Sequence, residues 1–249
     1  MRSPRSFLFP VAAALCVAAI AACGSESSQP AVDSTTADLL AASQAGQVEE
    51  RPSPGAGAGA AVMLDTLGYD VGDPEAPVRM VEFSDFGCGY CRTFHMDVWP
   101  TIEREYVATG KVYWKYVPMI LGRFSNAREA AMAGECAGVQ GRFTPMSDLL
   151  FGEQSSWKDG GDPDPVLESM AERAGVDMAQ WRECVANDAR ADRIDAGTQV
   201  SRQVGVRGTP TFFIMGYAPL PGALPLDLFR EVLDTAYAQA MRDQAAGTP

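Results

Sequence analysis

The fold is decided by residues 78–91, which read VRMVEFSDFGCGYC. The first part, Val78 to Phe83, is rich in β-forming residues and predicts a strand. Helical patterning then runs from about Cys88 to Val107, and a second strand is predicted at 111–117. Because two strands joined by a helical crossover form a parallel βαβ unit, this stretch predicts an α/β fold.

A long helical region follows the second predicted strand. Residues from about 125 to 204 are almost wholly helical in pattern. Three helix starts are predicted there from capping residues, and two helix ends from glycines. These positions are Asn126 with Glu129, Thr144-Pro145, Asp164-Pro165, Gly175 and Gly205.

The β pattern returns after this region. Residues 210–215 predict a strand, and a short strand near 218–220 is expected to pair with it as a hairpin. An amphipathic helix from Leu226 to about Met241 closes the chain. The sequence therefore predicts one β-sheet domain that is interrupted by a helical insert.

Cys88-Gly89-Tyr90-Cys91 carries the chemistry. Two cysteines three positions apart at the start of a helix can close a small disulfide loop. The free backbone N–H groups and the positive end of the helix dipole stabilise a thiolate there, which lowers the pKa of the first cysteine. We therefore expect Cys88 to be the reactive thiolate. Cys91, one turn inside, is expected to be the more buried partner that resolves a mixed disulfide.

A zinc site is the alternative use of these two thiols. It needs two more ligands, and Cys136 and Cys184 are too far apart in the sequence to form a second CxxC. His95 is the only histidine, and one histidine with two cysteines still lacks a fourth ligand. We therefore predict neither a metal nor a cofactor.

A second motif strengthens the redox interpretation. Gly208-Thr209-Pro210-Thr211 precedes the returning strand. Together with the CxxC and the helical insert, it resembles DsbA-like proteins of the thioredoxin fold over about residues 65–245. The resemblance implies a central mixed β-sheet, flanked by helices and interrupted by an all-helical insertion. It also implies that Pro210 is cis and faces the CxxC, and that the Thr209 backbone pairs with an extended substrate peptide.

Glu82 is unusual, because a central parallel strand is buried on both faces and seldom holds a carboxylate. The resemblance suggests that Glu82 lies beneath the active site and accepts a proton when Cys91 becomes a thiolate. The alternative is an acid at the end of the strand that reaches solvent. A packed or exposed helix position explains His95 as well as a functional role does. Gly89 stands where many relatives have proline, which leaves the redox potential open.

The N-terminus indicates export. Residues 1–22 have two arginines and an apolar run too short to span a bilayer as a helix, which predicts a signal peptide. The run ends in Ile20-Ala21-Ala22-Cys23, which resembles a bacterial lipobox, so we expect a lipid on Cys23. Ordinary signal cleavage, with Cys23 incidental, is the alternative. Residues 23–60 are small, polar and low in complexity, which predicts a flexible linker before a folded domain at 61–249.

Export would place the remaining thiols in an oxidising compartment. Cys136 and Cys184 both fall in the helical insert, and a structural disulfide between them is the simplest arrangement. Two separately buried, inert thiols are the alternative.

The 249 residues include 32 acidic and 20 basic side chains, a net charge of −12, which excludes a nucleic-acid binder because phosphate repels it. We predict a monomeric thiol–disulfide oxidoreductase, anchored by lipid on the periplasmic or cell-envelope side of a bacterial membrane. It would donate disulfides to exported proteins with cysteines and be reset by a membrane redox partner. A reductase or isomerase of the same fold, and a non-catalytic peptide-binding module, are the alternatives.

Overall fold

Apolar strands assemble into one mixed β-sheet. The computed structural model describes residue 64 and residues 66–247, so the predicted signal peptide, Cys23 and linker lie outside the described residues. The strands are β1 (Tyr69–Val71), β2 (Val78–Ser84), β3 (Val112–Pro118), β4 (Thr211–Ile214) and β5 (Leu220–Pro221). Within the described chain they form a sheet of order β1-β3-β2-β4-β5, in which β2 and β3 are parallel and the other neighbours antiparallel. The predicted thioredoxin-like mixed sheet is confirmed.

β2 is the centre of this sheet. Glu82 lies opposite Tyr116 of β3 and Phe212 of β4. Every residue of β2 except Arg79 is buried, as expected for a strand that is covered on both faces. The predicted strand is therefore present, and it extends one residue further, to Ser84.

The crossover from β2 to β3 is helical, as predicted, but it is not a regular α-helix. It consists of α1 (Gly89–Thr93), a π-helical turn (Phe94–Val98), α2 (Trp99–Ile102) and a second π-helical turn (Glu103–Val107). Pro100 contributes to the irregularity, because it has no N–H to donate to the carbonyl four residues earlier. The apolar side of the crossover packs on β2, β3 and β4.

Between β3 and β4 the described residues form helices joined by loops, as predicted for the insert. The final helix follows β5. These helices are α3 (Ala127–Gly138), α4 (Phe143–Gly152), α5 (Gln154–Trp157), α6 (Asp164–Ala174), α7 (Met178–Ala186), α8 (Ala191–Gln203) and α9 (Leu226–Ala245). None of the helices in the described part of the chain is both long and apolar enough to cross a membrane.

Asn126 does not cap α3 in the way its sequence position predicts. Its backbone is left-handed, with φ of 56°, and its side chain makes no capping hydrogen bond. The side-chain amide instead donates to the carbonyl of Trp157 at 2.7 Å and to that of Gly161 at 3.3 Å. Asn126 therefore joins the start of α3 to the loop after α5.

Two other predicted caps lie inside their helices. α4 begins at Phe143, so Thr144 is its second residue, and α6 begins at Asp164 itself. Both predictions are wrong by one or two positions, the usual error at helix ends. The glycine prediction is correct, because Gly175 and Gly205 follow α6 and α8 with φ of 77° and 86°.

A disulfide joins α3 to α7 inside the insert. Cys136 and Cys184 are bonded, with Cα atoms 5.8 Å apart and 48 positions between them in the sequence. Cys136 is buried in an apolar cluster that also contains Met132, Leu150 and Trp181. Trp181 further donates its indole N–H to the carbonyl of Ala133 at 3.1 Å.

We expect the double variant C136A/C184A to unfold about 3–4 kcal/mol more easily than the wild type, because the cross-link restricts the unfolded chain. Urea denaturation of the oxidised proteins measures this loss. The matched control, C88A/C91A, removes the other two thiols of the described domain. If the sulfurs were two separate buried thiols, a reductant would not lower the free energy of unfolding of the wild type at this site. The single variant C136A would then lose less of that free energy than the double variant.

Candidate active site

The turn between β2 and α1 places the two cysteines at the start of the helical crossover. Cys88 is the N-cap of α1 and donates its backbone N–H to the carbonyl of Asp85 at 2.9 Å. The Asp85 carboxylate is buried and accepts two further backbone N–H bonds, from Gly87 at 2.9 Å and from Leu121 at 2.8 Å. Burial raises the pKa of the Asp85 carboxyl to about 6. Asp85 thus ties the cysteine turn to the segment that follows β3.

Gln154 fixes the same turn from the side of the helical insert. Its buried side-chain amide donates to the carbonyls of Phe86 at 2.6 Å and Cys88 at 3.0 Å. Gly87 is held closely between these contacts, because a Cβ there would lie 2.4 Å from the Cβ of Phe124. The sequence did not reveal Gln154, since nothing in a helical pattern distinguishes a buried glutamine from an exposed one.

The two thiols of the CxxC have different environments. Both are free thiols here, and the exposed fraction is 4% for Cys88 and 0% for Cys91. A hydrogen bond from the Cys91 thiol, supported by the Thr209 side chain and backbone N–H groups, lowers the pKa of Cys88 from 9.0 to about 5. Burial raises the pKa of Cys91 well above its usual value. At neutral pH Cys88 is therefore an anion, and Cys91 is neutral.

The loop before β4 lies against Cys88. The peptide bond between Thr209 and Pro210 is cis. In the thiol form, Cys88 Sγ donates to the Thr209 carbonyl at 3.3 Å. The Pro210 carbonyl in turn accepts the N–H of Gly222 at 2.8 Å, which holds the loop on the β5 side. The structure therefore brings together four of the predicted site residues, the two cysteines and the Thr209–Pro210 pair.

Glu82 is fully buried in the middle of β2. One carboxylate oxygen lies 3.1 Å from Nε2 of His95, and the other accepts the indole N–H of Trp114 at 3.1 Å. The alternative in which Glu82 reaches solvent is wrong, because the side chain points under the crossover helix. A buried carboxylate is costly unless it is paired, and His95 and Trp114 supply its partners.

His95 connects this carboxylate to a small internal space. Its ring stacks on Phe151 with the centroids 4.2 Å apart, and its side chain is 8% exposed. The other ring nitrogen, Nδ1, is buried without a hydrogen-bond partner. His95, Ser147 and Asp148 help to line a cavity of about 20 Å³, enough for about one water molecule. No sequence pattern predicts this arrangement, because it depends on which residues of α4 face the crossover.

Hydroxyl groups surround the buried thiol. Ser84 Oγ, Tyr116 Oη and Thr209 Oγ1 are buried, and none of them makes a well-aligned hydrogen bond. The side chains of Ser84 and Thr209 lie close enough to lower the pKa of Cys91, although burial has the larger effect. These hydroxyls can donate hydrogen bonds to the Cys91 sulfur when it carries a negative charge.

The described residues offer no metal centre around the two thiols. No group of three His, Cys, Asp or Glu side chains in residues 66–247 is arranged to hold a metal ion. Cys136 and Cys184, which a zinc site would have needed, are bonded to each other in the insert.

Fold and site together define the class of protein. The mixed sheet, the dithiol at the start of the crossover helix and the cis proline loop facing it are those of a thioredoxin-fold protein with a CxxC motif. A thioredoxin family model matches residues 67–234, which is more than half of the chain. The chain therefore belongs to the thioredoxin family, and its fold is DsbA-like.

Individual proteins agree with this assignment. A crystal structure of Wolbachia pipientis alpha-DsbA1 is 25% identical, with a TM-score of 0.64 over 71% of this chain and 94% of that one. A putative protein-disulfide oxidoreductase of Rickettsia conorii is 24% identical over 67% of this chain and 59% of its own length. The Na(+)/H(+) antiporter NhaA 3 of Salinispora tropica is 35% identical over 58% of this chain, but over only 21% of the antiporter. The chain thus spans a fifth to three fifths of these two relatives, and the antiporter's transport function is not carried over to it.

We expect C91A to raise the pKa of Cys88, because the Cys91 thiol provides the largest contribution that lowers it. Ultraviolet absorbance of the thiolate, recorded against pH with C88S as the blank, measures the change. In the reduced wild type, the lowered pKa of Cys88 contributes to the free energy of unfolding. This contribution is complete above pH 9.0 and is lost as the pH falls through about 5. An unchanged titration midpoint in C91A would show that the helix N-terminus alone sets the pKa.

Proposed function

We propose that this protein is an extracytoplasmic thiol–disulfide oxidoreductase that donates its Cys88–Cys91 disulfide to cysteines of exported proteins. The observation that carries the proposal is the lowered pKa of Cys88 beside the raised pKa of Cys91. A stable Cys88 thiolate favours the reduced dithiol over the disulfide, and a disulfide that is easily reduced is an oxidant. This supports the donor direction over the reductase direction.

The reaction proceeds by two thiolate displacements. A substrate thiolate attacks Cys88 Sγ, the Cys88–Cys91 bond breaks, and Cys91 leaves with the electron pair and takes up a proton. A second substrate thiolate then attacks the substrate sulfur of the mixed disulfide and releases Cys88 as a thiolate. The substrate has lost two electrons and gained a disulfide, while the protein holds the dithiol.

Thr209 and Pro210 act at the substrate peptide. Pro210 has no N–H, and the Thr209 backbone lies next to Cys88 Sγ, where an extended segment can pair with it beside the reacting sulfur. Pairing of this kind holds the substrate cysteine close to Cys88 without reading its side chains, which suits an enzyme that acts on many proteins.

Glu82 acts at the buried thiol. To close the disulfide again, Cys91 must lose its proton in a site without bulk water, and burial opposes its ionisation. The buried Glu82 carboxylate, held by His95 and Trp114, accepts that proton, and the Ser84 and Thr209 hydroxyls stabilise the thiolate that forms.

The N-terminal motifs support the location. A signal peptide at 1–22, a lipid on Cys23 and a linker at 23–60 would place the domain at 61–249 outside the cytoplasm, held at a bacterial membrane. Two electrons remain on the protein after each turnover, so a membrane partner that accepts electrons must restore the disulfide. The disulfide between Cys136 and Cys184 has a structural role only.

We expect the reduction potential of the Cys88–Cys91 couple to lie well above the value of about −270 mV found for thioredoxin, because the Cys88 thiolate stabilises the dithiol. Equilibration with glutathione buffers, followed by alkylation and mass analysis, measures it. The oxidised protein should also reactivate a reduced, disulfide-dependent enzyme, and C88S should not.

Other results would identify the alternatives. A potential near that of thioredoxin, with catalysed disulfide reduction, would indicate a reductase. Repair of a scrambled substrate without net oxidation would indicate an isomerase. If C88S protected unfolded substrates as well as the wild type, the protein would be a peptide-binding module.

We expect E82Q to slow closure of the disulfide on the order of 10²-fold, because the Cys91 proton loses its acceptor. Cys88 is first converted to its mixed disulfide with glutathione, and release of glutathione by Cys91 is followed by acid quench and mass analysis. Formation of the mixed disulfide should be unchanged, since it involves only Cys88. The deficit should shrink at high pH, where Cys91 ionises without help. Equal slowing of both steps at every pH would instead mean that Glu82 only supports packing.

A further inference from the structure

Three surface segments surround the reactive sulfur, and each carries an exposed arginine. Arg92 directly follows Cys91, Arg123 lies in the loop after β3, and Arg207 precedes the Thr209–Pro210 loop. The segments 86–94, 121–125 and 206–211 contain no aspartate or glutamate. In a chain with 32 acidic and 20 basic residues, a surface of this composition is unusual.

Backbone and neighbouring contacts place the segment of each arginine near the cysteine turn. The backbone N–H of Arg92 donates to the Cys88 carbonyl at 3.1 Å. Arg123 is adjacent to Phe124, whose Cβ lies 2.4 Å from where a Cβ on Gly87 would be. Arg207 is two residues before Thr209, whose carbonyl lies 3.3 Å from Cys88 Sγ.

These three arginines also differ from most other arginines of the described chain in their partners. Among the described residues, Arg92, Arg123 and Arg207 form no ion pair, and their side chains make no hydrogen bond. Seven other arginines each pair with an acidic side chain. They are Arg104, Arg128, Arg173, Arg182, Arg190, Arg193 and Arg230. Lys158 also lies nearby, 5.2 Å from the ring of Phe124, but it is followed by Asp159.

An unpaired positive surface around Cys88 has a physical use. The attacking group in disulfide donation is a thiolate anion, and a protein of net charge −12 repels it. Local cations offset that repulsion at the sulfur and attract negative charge beside the thiolate. Tyr90, which is 72% exposed between the two cysteines, offers an apolar contact at the same surface.

We propose that Arg92, Arg123 and Arg207 form a cationic rim that selects extended substrate segments with aspartate or glutamate next to the reactive cysteine. This inference rests on the proposed thiol–disulfide exchange and names the substrate class for it. The rim acts before the chemical step, by raising the rate at which acidic segments reach Cys88, and it leaves the exchange reaction itself unchanged.

The test compares three single-cysteine peptides that differ only in the residues flanking the cysteine, which are glutamates, serines or lysines. Each peptide reacts with the oxidised full-length protein, and stopped-flow measurement gives the second-order rate constant. Flanking charge also changes the peptide's own thiol, so each rate is divided by the rate of the same peptide with an uncharged small disulfide. We expect a preference for the glutamate peptide over the lysine peptide of roughly tenfold at low salt, which is lost at about 1 M salt.

Two double variants separate the rim from overall charge. R123E/R207E should reverse the preference. R142E/R242E makes the same change in net charge and should keep the preference for the glutamate peptide. Arg142 lies at the end of α4 that is away from Gln154, and Arg242 lies near the end of α9. If every peptide fails to react, the proposed exchange activity is wrong. If all peptides react equally, or both variants change the preference by the same amount, the rim is wrong and the exchange activity stands.

Discussion

The unequal burial of two neighbouring thiols is the constraint on which the site depends. The Cys88 and Cys91 thiols are coupled, and only one of the two sulfurs can hold a negative charge without strong repulsion from the other. Burial decides which sulfur carries the charge, because Cys91 lies on the buried side of α1 while Cys88 caps the start of that helix. The first thiol is therefore an anion, and the second keeps a proton that would have to be removed in each cycle of the proposed exchange.

Two parts of the fold hold this geometry jointly. The sheet contributes Asp85, which binds the backbone of the cysteine turn and of the segment after β3. The helical insert contributes Gln154, which binds the turn from the other side, and Phe151, against which His95 stacks. Because the insert fixes the site directly, its own rigidity affects the chemistry. A disulfide between α3 and α7 restrains that insert.

Sequence patterns predicted the parts of this structure that are local. A strand, a CxxC and a helix follow one another without a gap, so β2, the crossover and both cysteines were predictable, as was the all-helical insert. β1 was not, because a three-residue strand, Tyr69–Val71, is too short to show alternation. Glu82 stands out in the sequence as a charged residue in a buried strand. Its pairing with His95 depends on the orientation of the crossover helix on the sheet. Gln154 depends on packing between segments more than sixty residues apart, which no local pattern encodes.

Unsatisfied polar atoms concentrate where the chemistry requires them. Within the described residues, six buried side-chain atoms lack a hydrogen-bond partner, and four of them belong to Ser84, His95, Tyr116 and Thr209. Leaving a buried donor unpaired costs about 1–3 kcal/mol, so such atoms are rare in a core that serves stability alone. Around Cys91 we propose that they serve as hydrogen-bond partners for a thiolate that forms only during the proposed exchange. The pairing of Glu82 with His95 supports the same conclusion, because burying polar side chains costs free energy that apolar side chains of similar size do not cost. We therefore propose that the polar groups beneath this dithiol serve proton movement rather than the stability of the fold.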